Sequence, residues 1–266
     1  MASFEVATVG DNCIDRYLPP IGLTTVGGNA VNVAVQLCRL GQSVAYFGAV
    51  GDDPQGRRTM ACIARNGVAT QHLRVGAGPT AFTDLGVDAG GDRIIVFEEF
   101  GACRGYRPTD ADLKRLMAMR HVHLGWLDDG GNLKRQLAAA GVSVSQDLAV
   151  NAGASELSIA FASAGMVRQR ADALLKEALQ QGAGLSVVTR GALGSMASDG
   201  IDYAETGIAD VKVVDTTGAG DTFIAAFLDA RLRGKGLRAC LEAGRDAAAE
   251  TCRHLGGFPQ DPLPFA

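Results

Sequence analysis

The sequence predicts an α/β fold, a mainly parallel sheet with helices on both faces. Three observations predict it. Short β-branched or apolar runs alternate with amphipathic helical stretches along most of the chain, the pattern of a parallel sheet linked by crossovers. Several of those runs end on Gly, Asp or Thr, and ligands of open α/β sheets bind beyond the carboxyl ends of strands. Residues 211–228 read as strand, glycine turn and helix in immediate succession. The length of 266 residues permits one large domain, or one domain with a small appendage, and a hydrophobic content of 47% fills a sizeable core. No internal repeat or low-complexity segment stands out.

The elements follow in order. Residues 4–9 make a short buried strand ending at Gly10 and Asp11. Asp11 is at a site edge or in an ordinary turn. Residues 15–26 contain Pro19 and Pro20 and read as irregular. Residues 29–40 form a helix that stops at Gly41, with Val31, Val35 and Cys38 as its buried stripe. Before it, Gly27 and Gly28 allow close backbone approach to a ligand, and Asn32 can point back at it. A plain loop and ordinary helix-start polarity are the alternatives. Residues 43–50 are a strand, and residues 51–54 turn into a helix ending at Asn66 and Gly67. Residues 80–88 and 92–99 are two extended runs about residues 89–91, a hairpin. Its charged residues Arg93 and Glu98 each read singly as solvated surface; Arg93 is also a candidate substrate ligand. Thr109 caps a helix to residue 119. His121 and His123 share one face of the next strand. That spacing suits a metal, but no third ligand is nearby, and structural histidines are the commoner case. Residues 132–140 and 142–146 repeat helix and strand, and Asp147 then either lines a site or caps a turn. Residues 158–163 (strand) and 167–181 (helix) follow. Residues 185–189 make a strand that runs into Thr189, Gly191 and Gly194. Residues 196–198 and 202–205 are a short hairpin, and residues 236–255 a last, alanine-rich helix.

The chemistry concentrates in residues 211–228. Val211, Val213 and Val214 favour an extended chain. Gly218 and Gly220 punctuate the turn. Phe223, Ala226, Phe227 and Ala230 recur at helical spacing. A small-residue turn opening a helix leaves main-chain N–H groups unpaired and aimed outward, which makes an anion site. Asp221 in the first helical turn suits the helix dipole, so capping is its simplest reading. Capping alone does not call for Gly218-Ala219-Gly220 before it. An anion hole beside a carboxylate is what phosphoryl transfer to a hydroxyl requires.

Asp215-Thr-Thr-Gly-Ala-Gly-Asp221 resembles the C-terminal signature of the ribokinase (PfkB-type) carbohydrate kinases, and residues 27–34, Gly-Gly-Asn-Ala-Val-Asn-Val-Ala, resemble the family's other signature. Residues 10–15 and 26–35 look most like those of bacterial fructoselysine 6-kinases. The resemblance implies a ribokinase-like three-layer sandwich, a single domain over residues 1–266, with a small β lid from segments at about 12–26 and 79–100. It implies ATP and Mg²⁺ as cofactors and a primary sugar hydroxyl as acceptor, first a fructosamine at its 6-position. Another ketohexose, ribose or a nucleoside is the alternative, as is a catalytically silent binding protein. Asp221 would accept the hydroxyl proton, and the amides of Gly218, Ala219 and Gly220 would hold the transferring group. Asp11, Gly27, Gly28 and Asn32 would hold the sugar. Thr189, Gly191, Gly194, Thr217 and Gly220 would meet the nucleotide. Asp215 and Thr217 would ligate a monovalent cation such as K⁺. Lids of this family often pair between subunits, and an exposed sheet edge favours a homodimer. The chain departs from its relatives at residues 163–166, Ser-Ala-Gly-Met, where many carry the Asn-x-x-Glu that organises magnesium.

Other classes lack support. The formal charge of −4 and the absence of a Lys/Arg run argue against nucleic acid or an anionic membrane as partner. No apolar run reaches spanning length, and the first ten residues read as a strand rather than a secretory leader. The six cysteines form no C-x-x-C pair, which suits reduced thiols in a cytoplasmic protein. The P-loop pattern fails around Gly234-Lys235, and no dinucleotide fingerprint follows the first strand. Neither H-E-x-x-H nor G-x-S-x-G occurs.

Overall fold

The computed structural model describes residues 5–87 and 93–265. In chain order its elements are β1 (Val6–Val9), β2 (Cys13–Tyr17), β3 (Leu23–Gly27), α1 (Asn29–Arg39), β4 (Val44–Val50), α2 (Pro54–Arg65), β5 (Ala69–Val75), β6 (Phe82–Val87), β7 (Arg93–Glu99), α3 (Asp110–Leu116), β8 (His121–Leu124), α4 (Asn132–Ala139), β9 (Ser143–Asp147), β10 (Ile159–Ser163), α5 (Arg168–Gln180), β11 (Ser186–Thr189), β12 (Ser195–Ser198), β13 (Tyr203–Thr206), α6 (Ala219–Leu232), α7 (Leu237–Thr251) and β14 (Leu263–Pro264). A large sheet runs β13-β12-β11-β10-β9-β8-β1-β4-β5, and a second runs β14-β3-β2-β6-β7. From β5 to β11 every neighbouring pair of the large sheet is parallel. The hairpin β12–β13 closes that edge in antiparallel fashion.

Successive strand side chains point to opposite faces, and β1 shows how this builds three layers. Val6 packs in a cluster with Val31 and Val35 of α1, Phe223 and Phe227 of α6 and Leu241 of α7. Ala7 and Val9 pack with Leu116 of α3 and Leu133 and Leu137 of α4. Strands buried on both faces read as continuous apolar runs, which is why the central strands were legible as strands.

Three elements differ from the sequence reading. Residues 211–214 form no strand. Val213 and Val214 lie exposed, and the N–H groups of Val214 and Asp215 donate to the Cys252 carbonyl, at 2.8 and 3.3 Å. Strand propensity expresses itself on a pleated, half-buried surface, and here β13 already occupies the sheet edge. Residues 15–26 are ordered as β2 and β3, an antiparallel pair whose connection holds Pro19 and Pro20; the prolines belong to the turn. β5 was not anticipated. It is an edge strand, Ala-Thr-Gln-His-Leu-Arg-Val, with one partner and no apolar run. Helix α3 also ends at Leu116, short of residue 119, and α7 at Thr251, short of residue 255. β6 and β7 pair antiparallel as expected; their turn at residues 89–91 lies outside the described residues, as does the start of the first strand at Phe4. Among the described residues no helix is long and apolar enough to cross a membrane.

Candidate active site

Two helix N-termini meet above the carboxyl ends of β1, β8 and β9. α6 opens at Gly218, whose φ is +73° and where a Cβ would fall 2.3 Å from the Gly257 Cα, so only glycine fits. The N–H groups of Gly218, Gly220 and Asp221 have no acceptor among the described residues, whereas Ala219 donates to the Thr216 carbonyl at 3.2 Å and Thr222 to that of Gly218 at 2.9 Å. Of the three amides expected to form the anion hole, those of Gly218 and Gly220 are open, while the Ala219 N–H closes the turn; the amide of Asp221 is open as well. Gly220 is exposed and has open space on its Cβ side.

The Asp221 carboxylate, half-buried, is held from α1. Asn29 Nδ2 donates to Oδ1 and Asn32 Nδ2 donates to Oδ2, both at 2.7 Å. Burial pushes the Asp221 carboxyl well above the usual carboxylate range; the Asn32 bond opposes the shift, and the charges of Asp147 and Asp11 add to it. Asp147, at the end of β9, is raised to about 6, chiefly by burial. Asn32 was expected to hold the sugar. The structure spends its amide nitrogen on Asp221 and leaves its Oδ1 without a partner.

Asp11 caps α1. It accepts the N–H groups of Asn29 at 2.7 Å, Trp126 at 2.8 Å and Ala30 at 3.4 Å. That is the turn-aspartate reading, and it fixes the start of the helix that holds Asp221. The carboxylate left facing the space above Gly27 belongs to Asp15 on β2. It is buried, its Oδ2 has no hydrogen-bond partner, and a Cβ on Gly27 would lie 2.1 Å from that atom. Burial raises its carboxyl to about 7. Sequence reasoning missed Asp15; the available signal was a carboxylate two residues from both Cys13 and Tyr17, on one strand face. Gly28 is the N-cap of α1, at φ +103° against the Asn12 backbone.

Asp215 does not offer the expected cation site. Its side chain is fully buried and takes five donors: Tyr17 Oη at 2.6 Å, Thr217 Oγ1 at 2.9 Å, the Gly256 N–H at 2.9 Å, the Thr217 N–H at 3.2 Å and Arg93 Nε at 3.2 Å. Burial alone would raise its carboxyl, but the bonds from Tyr17, Gly256 and Thr217 outweigh it and hold it below the usual range. No oxygen is left for K⁺, and the Thr217 hydroxyl is spent on the same carboxylate. Arg93 accordingly pairs with Asp215 through Nε and lies 4.8 Å over the Tyr17 ring; its Nη1 is buried without a hydrogen-bond partner.

The expected nucleotide turn follows β11. Arg190 donates its N–H to the Gly194 carbonyl at 2.7 Å, Gly191 and Gly194 take positive φ, and the Thr189 hydroxyl reaches the Ala162 carbonyl at 3.4 Å. A cleft of about 700 Å³ adjoins this turn, lined by Arg190, Leu193, Glu205, Arg238 and Arg245 among others. At residues 163–166 no carboxylate replaces the missing Glu, and Met166 is exposed. Among the described residues no three His, Cys, Asp or Glu side chains converge to hold a metal. His121 and His123 bond to Ser143, Ser145 and Asn29 instead.

A sequence profile of the pfkB family carbohydrate kinases matches residues 22–125 and 128–263. The chain is 33% identical over 260 residues to the fructoselysine 6-kinase of Escherichia coli K12, covering 95% of this chain and 99% of the relative. It is 28% identical over 265 residues to the fructosamine kinase FrlD of Bacillus subtilis, with 96% and 93% covered. The ribokinase of Arabidopsis thaliana, solved with ribose and ATP, shares the fold at a TM-score of 0.82 and 23% identity, over 96% of this chain and 94% of that one. With a helix-mouth carboxylate and open amides where the two signatures converge, and with profile and relatives matching along nearly the whole length, the chain belongs to the pfkB family of carbohydrate kinases.

Proposed function

We propose that the protein transfers the γ-phosphoryl group of ATP to the 6-hydroxyl of a fructosamine such as fructoselysine. The observation that carries this reading is the Asp221 carboxylate beside the open amides of Gly218, Gly220 and Asp221. Asp221 takes the proton of the acceptor hydroxyl as the oxygen attacks phosphorus and ADP leaves, and the amides and helix dipole bear the charge on the transferring group. Gly27, Gly28, Asp15 and the free Oδ1 of Asn32 surround the sugar. Thr189, Gly191, Gly194, Thr217 and Gly220 meet the nucleotide. Mg²⁺, held by phosphate oxygens and water rather than by a protein cage, neutralises phosphate charge when bound. The curated relatives that act on fructoselysine and fructosamines support the substrate, and their coverage supports one kinase domain with the second sheet as its lid. The protein works in the cytoplasm, where its thiols stay reduced.

Release of ADP, coupled to a spectrophotometric readout, tests this with fructoselysine, fructose, ribose and adenosine as acceptors. Fructoselysine is expected to give the highest kcat/KM. A preference for ribose or adenosine moves the substrate to the second reading, and no ADP release with any acceptor leaves a silent binding protein.

The lid also suits pairing with a second copy of the chain. β7 is an edge strand, and Ile94, Ile95, Val96 and Phe97 along it are all exposed; such an edge is a template for another chain. Light scattering is expected to return twice the chain mass of 27.5 kDa, and Ile95→Lys with Phe97→Lys the single mass. A wild-type chain that stays single rejects the dimer.

A further inference from the structure

A file of buried polar groups runs through the sheet to Asp221, and the reaction as described does not use it. Ser143 Oγ lies 2.9 Å from His121 Nδ1, and His121 Nε2 lies 2.8 Å from Ser145 Oγ. Ser145 Oγ lies 2.9 Å from His123 Nδ1, and His123 Nε2 lies 3.3 Å from Asn29 Oδ1. Both histidines are almost fully buried, on the face of β8 that looks towards α1.

Hydrogen positions follow from the far end. The Asn29 amide nitrogen faces two carboxylates, Asp221 Oδ1 at 2.7 Å and Asp147 Oδ2 at 3.2 Å, so it is the NH₂ that points there. Its Oδ1 then faces His123 and accepts, which requires a proton on His123 Nε2. His123 Nδ1 is left as an acceptor for the Ser145 hydroxyl. Ser145 in turn accepts from His121 Nε2–H, and His121 Nδ1 accepts from Ser143. One assignment satisfies every atom, and in it every bond donates towards Asp221. Burial keeps both rings neutral, with pKa values lowered to about 4 for His121 and about 3 for His123, as the assignment requires.

We propose that His123, backed by Ser145 and His121, is a positioning residue for the phosphoryl-transfer base: its Nε2–H holds the Asn29 amide in the one orientation that donates to Asp221. This rests on Asp221 being that base. An amide turned by 180° would put its oxygen against two carboxylates and leave Asp221 with Asn32 as its only side-chain donor. The charged groups facing Asp221 are Asp147 at the end of β9 and Asp11 beyond β1, both acidic, so Asn29 is one of two side chains that favour the ionised base.

The test compares wild type with His123→Leu, which removes the donor, and His123→Gln, which keeps an N–H near the Nε2 position. ¹⁵N spectra of the wild-type imidazoles are expected to show neutral Nε2–H tautomers at both histidines from pH 5 to 8. His123→Leu is expected to lower kcat about tenfold, with KM for the sugar within about twofold. It is also expected to move the Asp221 carboxyl, followed by ¹³C shift, to higher pH. His123→Gln is expected to restore most of both. A neutral Nδ1–H tautomer at His123 overturns the proposal, as do equal kcat and Asp221 titration in the Leu and Gln variants. The tautomer and the ¹³C titration need no turnover. If they behave as expected while no acceptor releases ADP, the positioning stands and the kinase reading falls.

Discussion

Replacing Asp221 by Asn lowers turnover at least about 10²-fold while the sugar still binds. The size follows from what the side chain does. A positioned general base contributes about 10²–10⁴-fold, and no second base is free to take its place. Asp11 is occupied with three main-chain N–H groups, and Asp147 accepts from the Asn29 amide and the Ala149 N–H. The open amides of Gly218, Gly220 and residue 221 remain in the variant, so transfer is slowed rather than abolished. Apart from Asn32, which donates to Asp221, the proposed sugar contacts at Gly27, Gly28 and Asp15 do not involve this side chain, so affinity measured by calorimetry is expected to stay within a few-fold of wild type. Turnover retained near the wild-type rate removes Asp221 as the base. Turnover and affinity lost together point to disruption of the α1–α6 junction instead.

Arg93→Met is the second large effect. It strips the cation from a carboxylate with no solvent exposure, and breaking such a buried pair costs about 3–5 kcal/mol. Tyr17, Thr217 and Gly256 still donate to Asp215, which puts the expected loss at the lower end, about 3 kcal/mol in denaturant unfolding. The vacated space beside Asp215 then suits a monovalent cation. Wild-type activity is expected to be unchanged between potassium and tetramethylammonium salts, because Arg93 already supplies the positive charge. The variant is expected to be faster in potassium. Potassium activation of the wild type, of the kind the family resemblance suggested, shows that Arg93 yields its place.

How much of this was legible in the sequence depended on how local each cause is. The glycine turn before α6 and the Gly27-Gly28 approach to α1 are set by neighbours within a few residues, so the motifs located the site. The Asp215–Arg93 pair spans 122 residues and joins the second sheet to the turn before α6. Nothing in the neighbourhood of either residue distinguishes it from a surface arginine and a turn aspartate. Asp11 was read as a sugar ligand and Asp15 was passed over, and what separates them is that three amides from elsewhere in the fold reach only the first. The two histidines could be placed on one strand face, but the serines that receive them lie on β9, and only the pairing register brings them side by side. β5 and residues 211–214 show the same limit. Both depend on whether a neighbour is present to complete a ladder, which composition does not reveal.

Tyr17 and Arg93 reach Asp215 from the second sheet, and Asp215 in turn braces the turn that opens α6. A displacement of that sheet that broke both contacts would leave Asp215 with Thr217 and Gly256 as its donors. One buried carboxylate thus couples the turn that opens α6 to the position of the second sheet.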